Sequence, residues 1–147
     1  MNKLFMEKAV ELAKNNCDDI PVAAVIVKNN EIIAACTNEK EKRQNPLLHA
    51  EISAINETCK KLGRWRLDDC EIYVTLEPCP MCAWAIIQSR IKKLYFGSYN
   101  NLYGAFGSKT DLRNLINSAL EVKGGIMEEE CDNIIENFFN KIRNDQK

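Results

Sequence analysis

One histidine, one glutamate and two cysteines carry the spacing in this 147-residue chain that reads as chemistry. The sole histidine lies in His49-Ala50-Glu51, and further on comes Pro78-Cys79-Pro80-Met81-Cys82. Two thiolates separated by two residues, with one imidazole, make three ligands of a softness that suits zinc. Three protein ligands leave a tetrahedral position open, the mark of a catalytic zinc. Water held there has its pKa lowered towards ~7 and serves as hydroxide. Glu51 is then the general acid/base that carries protons to the substrate. The cysteines are expected in the first turn of a helix, where the dipole and unpaired N–H groups favour thiolate. Pro78 and Pro80 fix the backbone that presents them. Residues i and i+2 of a regular helix point to nearly opposite sides, so His49 and Glu51 can share a site only at an irregular helix start.

Other readings of the same residues compete with this one. A redox Cys-x-x-Cys pair needs neither His49 nor Glu51. A structural zinc needs a fourth ligand, for which Cys36 and Cys70 are the candidates. A non-catalytic zinc or nucleic-acid-binding module has no use for a carboxylate beside the metal. The remaining thiols, Cys17, Cys36, Cys59, Cys70 and Cys131, read as buried small hydrophobes.

The elements that must position these groups alternate along the chain. Residues 2–16 gather Phe5, Ala9, Leu12 and Ala13 on one helical face. Val22–Lys28 and Glu31–Thr37 read as strands joined by Asn29-Asn30, a pair that tolerates positive φ. Residues 38–47, with Pro46, read as a loop. From Leu48 the spacing Leu48, Ile52, Ile55, Cys59, Leu62 is helical, and Gly63 is its expected C-cap. A strand at Glu71–Leu76, a helix at Met81–Ser89 and a strand at Ile91–Phe96 follow. Gly97–Ser108 reads as a long loop, then come a weak helix at 111–118 and a short strand at 119–123. Met127, Cys131, Ile134, Ile135, Phe138 and Ile142 mark an amphipathic C-terminal helix. This alternation with a leading hairpin predicts one α/β domain over 1–147: a three-layer α/β/α sandwich around a mixed sheet of about five strands.

Composition sets the outer limits. The chain is 46% hydrophobic and 28% charged, an ordinary globular balance. Its longest apolar run, Ile20–Val27, is too short to span a bilayer, and Met1–Lys8 has no signal-peptide core. No membrane partner is therefore expected, and seven cysteines without sign of export point to reduced thiols in a cytoplasm. Twenty basic against 21 acidic residues give a net charge of −1, which excludes a uniformly basic nucleic-acid coat but not a local basic rim. Lys40, Lys42 and Arg43, then Lys60, Lys61, Arg64 and Arg66, then Arg90, Lys92 and Lys93 are the clusters that could form one, with Lys141, Arg143 and Lys147 extending it.

His-x-Glu with Pro-Cys-x-x-Cys is the signature of the zinc nucleobase deaminases. Within that superfamily the chain resembles the bacterial tRNA-specific adenosine deaminases. The resemblance rests on Ile20-Pro21-Val22, Asn38, Asn45-Pro46, His49-Ala50-Glu51, Tyr73 to Cys79, Met81-Cys82-Ala83 and Ser89-Arg90-Ile91. It continues through Phe96-Gly97, Gly104-Ala105, Gly125-Ile126, Glu130-Cys131 and Phe138-Phe139. It implies a cytidine-deaminase-like fold and a homodimer with one Zn2+ per subunit, held by His49, Cys79 and Cys82. It also implies conversion of adenosine to inosine at the wobble position of a tRNA anticodon loop, an arginine tRNA in the first instance. Asn38 is then expected to hydrogen-bond the flipped base, with Pro46, Leu47, Leu48, Ala50 and Asn100 as further substrate contacts. Three departures bear on substrate. Ser98-Tyr99-Asn100-Asn101-Leu102 replaces the family's usual Ala-Arg-Asp with a following Lys, so an acid and a cation are gone. Trp84 replaces a common Gly, which implies altered packing of the helix behind the metal, and Ala23 replaces another. The alternative reading is a deaminase of a free base or nucleotide, of the guanine or cytosine type.

Overall fold

The strands divide their side chains between two apolar faces. In the computed structural model, which describes residues 1–146, Ala24 and Ile26 of the first strand face one layer while Ala23, Val25 and Val27 face the other. The elements run α1 (Lys3–Lys14), β1 (Ala23–Lys28), β2 (Glu31–Thr37), α2 (Lys40–Arg43), α3 (Ala50–Leu62), β3 (Cys70–Leu76), α4 (Pro80–Gln88), β4 (Lys93–Ser98), β5 (Glu121–Lys123) and α5 (Glu128–Asp145). The sheet order is β2-β1-β3-β4-β5. β1 is antiparallel to β2 and β3, whereas β3, β4 and β5 run parallel. One face packs Ile72, Val74, Leu94 and Phe96 against Ala50 and Ala54 of α3 and Ala83, Ile86 and Ile87 of α4. The other packs Tyr73 and Tyr95 against Met6, Ala9 and Ala13 of α1 and Cys131 and Ile134 of α5. The expected three-layer sandwich with five strands is thus present. None of its described helices is long and apolar enough to cross a membrane.

The Asn29-Asn30 turn has φ of 50° and 61°, the double positive φ that lets a two-residue loop follow the strand twist. Other boundaries moved, each for a non-local reason. The segment 38–47 is not all loop: it contains α2, whose first amides donate to the Asp19 carboxylate, Glu41 at 2.7 Å and Lys42 at 3.2 Å. β4 begins at Lys93 rather than Ile91, because Arg90 turns the chain at φ 67° and parallel pairing with β3 sets Glu71 opposite Lys93. The weak helix at 111–118 shrinks to a single 3₁₀ turn at Leu112–Asn114, and the strand at 119–123 shortens to Glu121–Lys123. Cys17 is exposed and so is no core filler, and Cys36 and Cys59 are half-buried; Cys70 and Cys131 are buried as expected. Trp84 lies exposed on α4 while Ala83 and Ile86 face the core, so the departure from Gly falls at the surface rather than in the packing behind the triad.

α5 closes on β4 through one close approach. A Cβ at Gly97 would overlap Cys131 Sγ and stand 2.9 Å from the Thr75 carbonyl. Gly97→Ala is therefore expected to cost about 1–3 kcal/mol through overpacking. Cys131→Ala should restore only part of it, because the backbone oxygen cannot yield. Thermal unfolding of the single and double variants checks this; a Gly97→Ala protein as stable as the parent would contradict the contact.

Candidate active site

His49 stands at the N-cap of α3 in extended conformation, φ −70° and ψ 154°, and Cys79 stands likewise at the N-cap of α4, φ −71° and ψ 171°. These non-helical starts resolve the i, i+2 conflict, since His49 precedes the first helical turn while Glu51 lies inside it. Pro80 opens α4 at a position where its missing N–H costs nothing. Cys82 follows in the first turn, buried.

His49, Cys79 and Cys82 bring one ligand atom each to within 4.8 Å of one another. His49 Nδ1 lies 3.7 Å from Cys79 Sγ and 3.5 Å from Cys82 Sγ. Tetrahedral zinc with ordinary Zn–S and Zn–N lengths sets nitrogen and sulfur about 3.5 Å apart, so the donor set fits that ion without rearrangement. Cys36 and Cys70 are not in the group. The Cys36 thiol donates to Glu57 at 3.1 Å, and that of Cys70 faces Asp69. Among the described residues no fourth protein ligand completes the set, so the structural-zinc reading loses its requirement.

The thiols show how the site is poised. Accepting from the Cys82 thiol, and from His49, holds the Cys79 thiol down at about 4 despite its burial. Cys82 is pushed the opposite way because it donates to Cys79 and is buried. Its hydrogen bond to Cys79 raises His49. Burial pushes the Glu51 carboxyl up to about 7, with the Cys79 charge adding to it. A buried carboxyl raised above its ordinary range beside this triad has the placement a general acid/base needs.

The triad opens into a cavity of about 210 Å³ whose walls include Asn38, Ala50, Asn100, Ile20, Leu76 and Tyr103, with Glu51 and Cys79. That is smaller than the roughly 300–1,000 Å³ of sites for drug-sized ligands. It suits a single ring system. Asn38 and Ala50 are where the sequence places them. Pro46 and Leu47 are exposed just before His49, Leu48 is half-buried, and none of the three lines the cavity. Asn38 also has structural work: its side chain donates to the Ile20 carbonyl at 3.3 Å and accepts from the Lys40 amide at 3.1 Å. Asn100 Oδ1 is taken by the amides of Leu102 (3.3 Å) and Tyr103 (3.1 Å), and its Nδ2 makes no hydrogen bond among the described residues. Of the basic clusters, Lys40 reaches the cavity wall. Lys61, Arg64 and Arg66 are paired with Glu57, Asp69 and Asp68.

Glu77 is the residue that pattern alone did not single out. It is 1% exposed, and its carboxylate gathers Asn100 N at 3.1 Å, Phe106 N at 3.0 Å, Ser108 N at 3.2 Å and the Ser108 hydroxyl. It thereby ties the loop after β4 to the strand end that carries Cys79. A Cβ at Gly104 would stand 2.5 Å from the Glu77 carboxyl carbon, which is why that position is glycine. The signal available in sequence was its place beside Pro78-Cys79; its partners lie more than 20 residues away. Glu77→Gln turns amide hydrogens towards amide donors, and we expect about 1–3 kcal/mol lost and faster hydrogen exchange at Phe106 and Ser108. Unchanged exchange there would contradict the clamp.

A half-parallel sandwich that sets one imidazole and two thiols at adjoining helix starts, with a buried carboxyl over a ring-sized cavity, defines the class of zinc-dependent deaminases. Residues 1–98 match the cytidine and deoxycytidylate deaminase zinc-binding region, and the chain belongs to that family. It is 41% identical over 150 residues to the tRNA-specific adenosine deaminase of Bacillus subtilis (strain 168), covering 99% of this chain and 93% of the relative. A solved structure of a tRNA:A34 deaminase, studied for A-to-I editing at the wobble position, superposes with a TM-score of 0.83 at 35% identity, covering 90% of this chain and 99% of that one. The solved guanine deaminase of Bacillus subtilis is 42% identical over 67% of this chain and 66% of its own, with a TM-score of 0.64.

Proposed function

We propose that this protein deaminates adenosine to inosine at the wobble position of a tRNA anticodon. The observation that carries the reading is the full-length correspondence with a tRNA-specific adenosine deaminase. It extends through the loop after β4 and through α5, which lie beyond the shared zinc-binding region.

His49, Cys79 and Cys82 would hold the zinc, which when bound supplies an activated water for attack on C6 of the base. Glu51 takes one proton of that water to the ring nitrogen as the C6–O bond forms, then carries the second, from the new C6 hydroxyl, to the departing amine, and the C6–N bond breaks to release ammonia. Burial of Glu51 serves this role, because a carboxyl near neutrality exchanges a proton in either direction at little cost. Asn38, pinned between the Ile20 carbonyl and the Lys40 amide, offers its remaining hydrogen-bonding capacity to the edge of the base. Pro46, Leu47 and Leu48, just before His49 in the chain, are taken as contacts to the nucleotide outside the cavity, and Asn100 as a donor from its wall. The anticodon loop suits such a site, since its bases are partly unstacked before binding.

The same reading takes the working form to be a cytoplasmic homodimer with an arginine tRNA as substrate. A near-neutral chain then contacts RNA locally, with Lys40 at the cavity and basic residues of both subunits around it. The second reading, deamination of a free purine, is favoured by the partial likeness to a guanine deaminase. One assay separates them. The zinc-loaded protein is offered an arginine anticodon stem-loop with A at the wobble position, beside free adenine, guanine, cytosine and cytidine. Inosine in the RNA without ammonia from the free compounds is expected. Ammonia from a free base with unchanged RNA overturns the reading.

A further inference from the structure

Tyr103 is the one phenylalanine, tyrosine or tryptophan in the cavity wall, and it is 64% exposed. Tyr73, Tyr95 and Tyr99 each pack against another ring, at 5.6 Å or less between centroids. Among the described residues Tyr103 has no such partner, and its hydroxyl makes no hydrogen bond.

Its backbone, by contrast, is firmly held. The Tyr103 amide donates to Asn100 Oδ1 at 3.1 Å, the next amide, of Gly104, donates to the Asn100 carbonyl at 2.8 Å, and that of Ala105 to the Pro78 carbonyl at 2.9 Å. The Glu77 carboxylate anchors the loop on both sides, at Asn100 and at Phe106 and Ser108. A free aromatic face on a fixed backbone at a cavity mouth is a preorganised surface, which loses little entropy when something lies on it.

The neighbouring residues narrow the occupant. Leu102, 74% exposed, and Asn101 are uncharged, so the immediate neighbours of Tyr103 offer no ion pair to a phosphate, and the cavity's lysine is Lys40. The reacting ring must reach the floor, where Cys79 and His49 lie, and a ring that does so is not the one over an exposed tyrosine at the rim. What remains is the next nucleotide along the strand, whose base has lost its stack on the extruded one. Stacking on an aromatic face compensates for that loss whatever the base.

We propose that Tyr103 is a specificity-determining platform on which a nucleobase adjacent to the reacting adenosine stacks. This rests on the RNA-deaminase reading above. Glu77 acts through it as a positioning residue, and so does Asn100 by the bonds of its Oδ1 and carbonyl, beside its own contact to the nucleotide.

The test compares the zinc-loaded parent, Tyr103→Ala and Tyr103→Phe on the wobble-A stem-loop. It then repeats the comparison on two RNAs with an abasic residue on one or the other side of the target. Tyr103→Ala is expected to lower kcat/KM on the intact RNA by roughly 5- to 140-fold, the equivalent of stacking one base, chiefly through KM. Tyr103→Phe keeps the ring and should stay within about twofold, since the hydroxyl contributes little to a stack. On one abasic RNA the parent should lose a similar factor while Tyr103→Ala loses nothing more. That non-additivity is what a merely structural role would not produce. Equal activity of Tyr103→Ala and parent on intact RNA overturns the proposal, as does a Tyr103→Ala penalty that persists undiminished on both abasic RNAs. A parent enzyme that leaves the intact stem-loop untouched overturns the substrate reading itself, and this inference with it.

Discussion

Glu51→Gln is expected to keep zinc at one ion per chain and to lower turnover by about 10²–10⁴-fold. The side chain is 4% exposed and lies inside the first turn of α3, two residues beyond His49. Burial, helped by the Cys79 charge, pushes its carboxyl up to about 7. Glutamine keeps the shape, so the metal triad and the helix start should survive; it cannot accept a proton and return it. Loss occurs in kcat, since the base and its ring contacts are otherwise intact. Zinc by elemental analysis and inosine formation by nuclease digestion measure the two halves of the result. A Glu51→Gln protein without zinc would make the residue structural. One that retains the parent rate would remove it from the chemistry.

Cys82→Ala is expected to abolish both zinc retention and activity. Its thiol is one of three ligand atoms, buried at the first turn of α4, and a remaining histidine and cysteine make a bidentate site open to solvent. Structural zinc sites are worth about 10–16 kcal/mol in apparent binding near neutral pH, so loss of a ligand should bring zinc to background after dialysis against a mild chelator. Cys36→Ala and Cys70→Ala should keep it, because those thiols face Glu57 and Asp69. Zinc retained by Cys82→Ala, or lost in either control, would contradict the ligand set. The same geometry fixes a sign. Without metal, Cys79 carries the thiolate and Cys82 holds a proton against it. Zinc must displace that proton, so binding should release at least one proton per ion at neutral pH. As pH falls, His49, raised by its bond to Cys79, also becomes protonated, and affinity should fall with it. Titration in a weakly buffered indicator dye reads the release.

Much of this was legible before any coordinates. The near-continuous apolar runs of residues 22–27 and 72–76 and the period near 3.6 in the helices, alternating along the chain, give the layers, because a strand apolar on both sides needs helices on each face. The ligand set was legible because zinc dictates donor type, and donor type is residue type. What could not be read was any group whose meaning depends on a distant partner. Asp19 caps α2 across more than 20 residues, so 38–47 carried no local helix signal. Trp84 reads in sequence as a packing change behind the metal, and the rotation of α4 instead turns it outward.

The sequence by itself determined the metal, the layered fold and the carboxyl that accompanies the metal, since each follows from residue chemistry and short-range periodicity. Only the tertiary structure decided how the substrate loop is held. Glu77 looks like one more acid in a chain of 21, and becomes a buried clamp because Asn100, Phe106 and Ser108 return to it. Hydrogen bonds between residues far apart in sequence leave no period to read, and they fix to the cavity the loop that carries Tyr103 and Asn100.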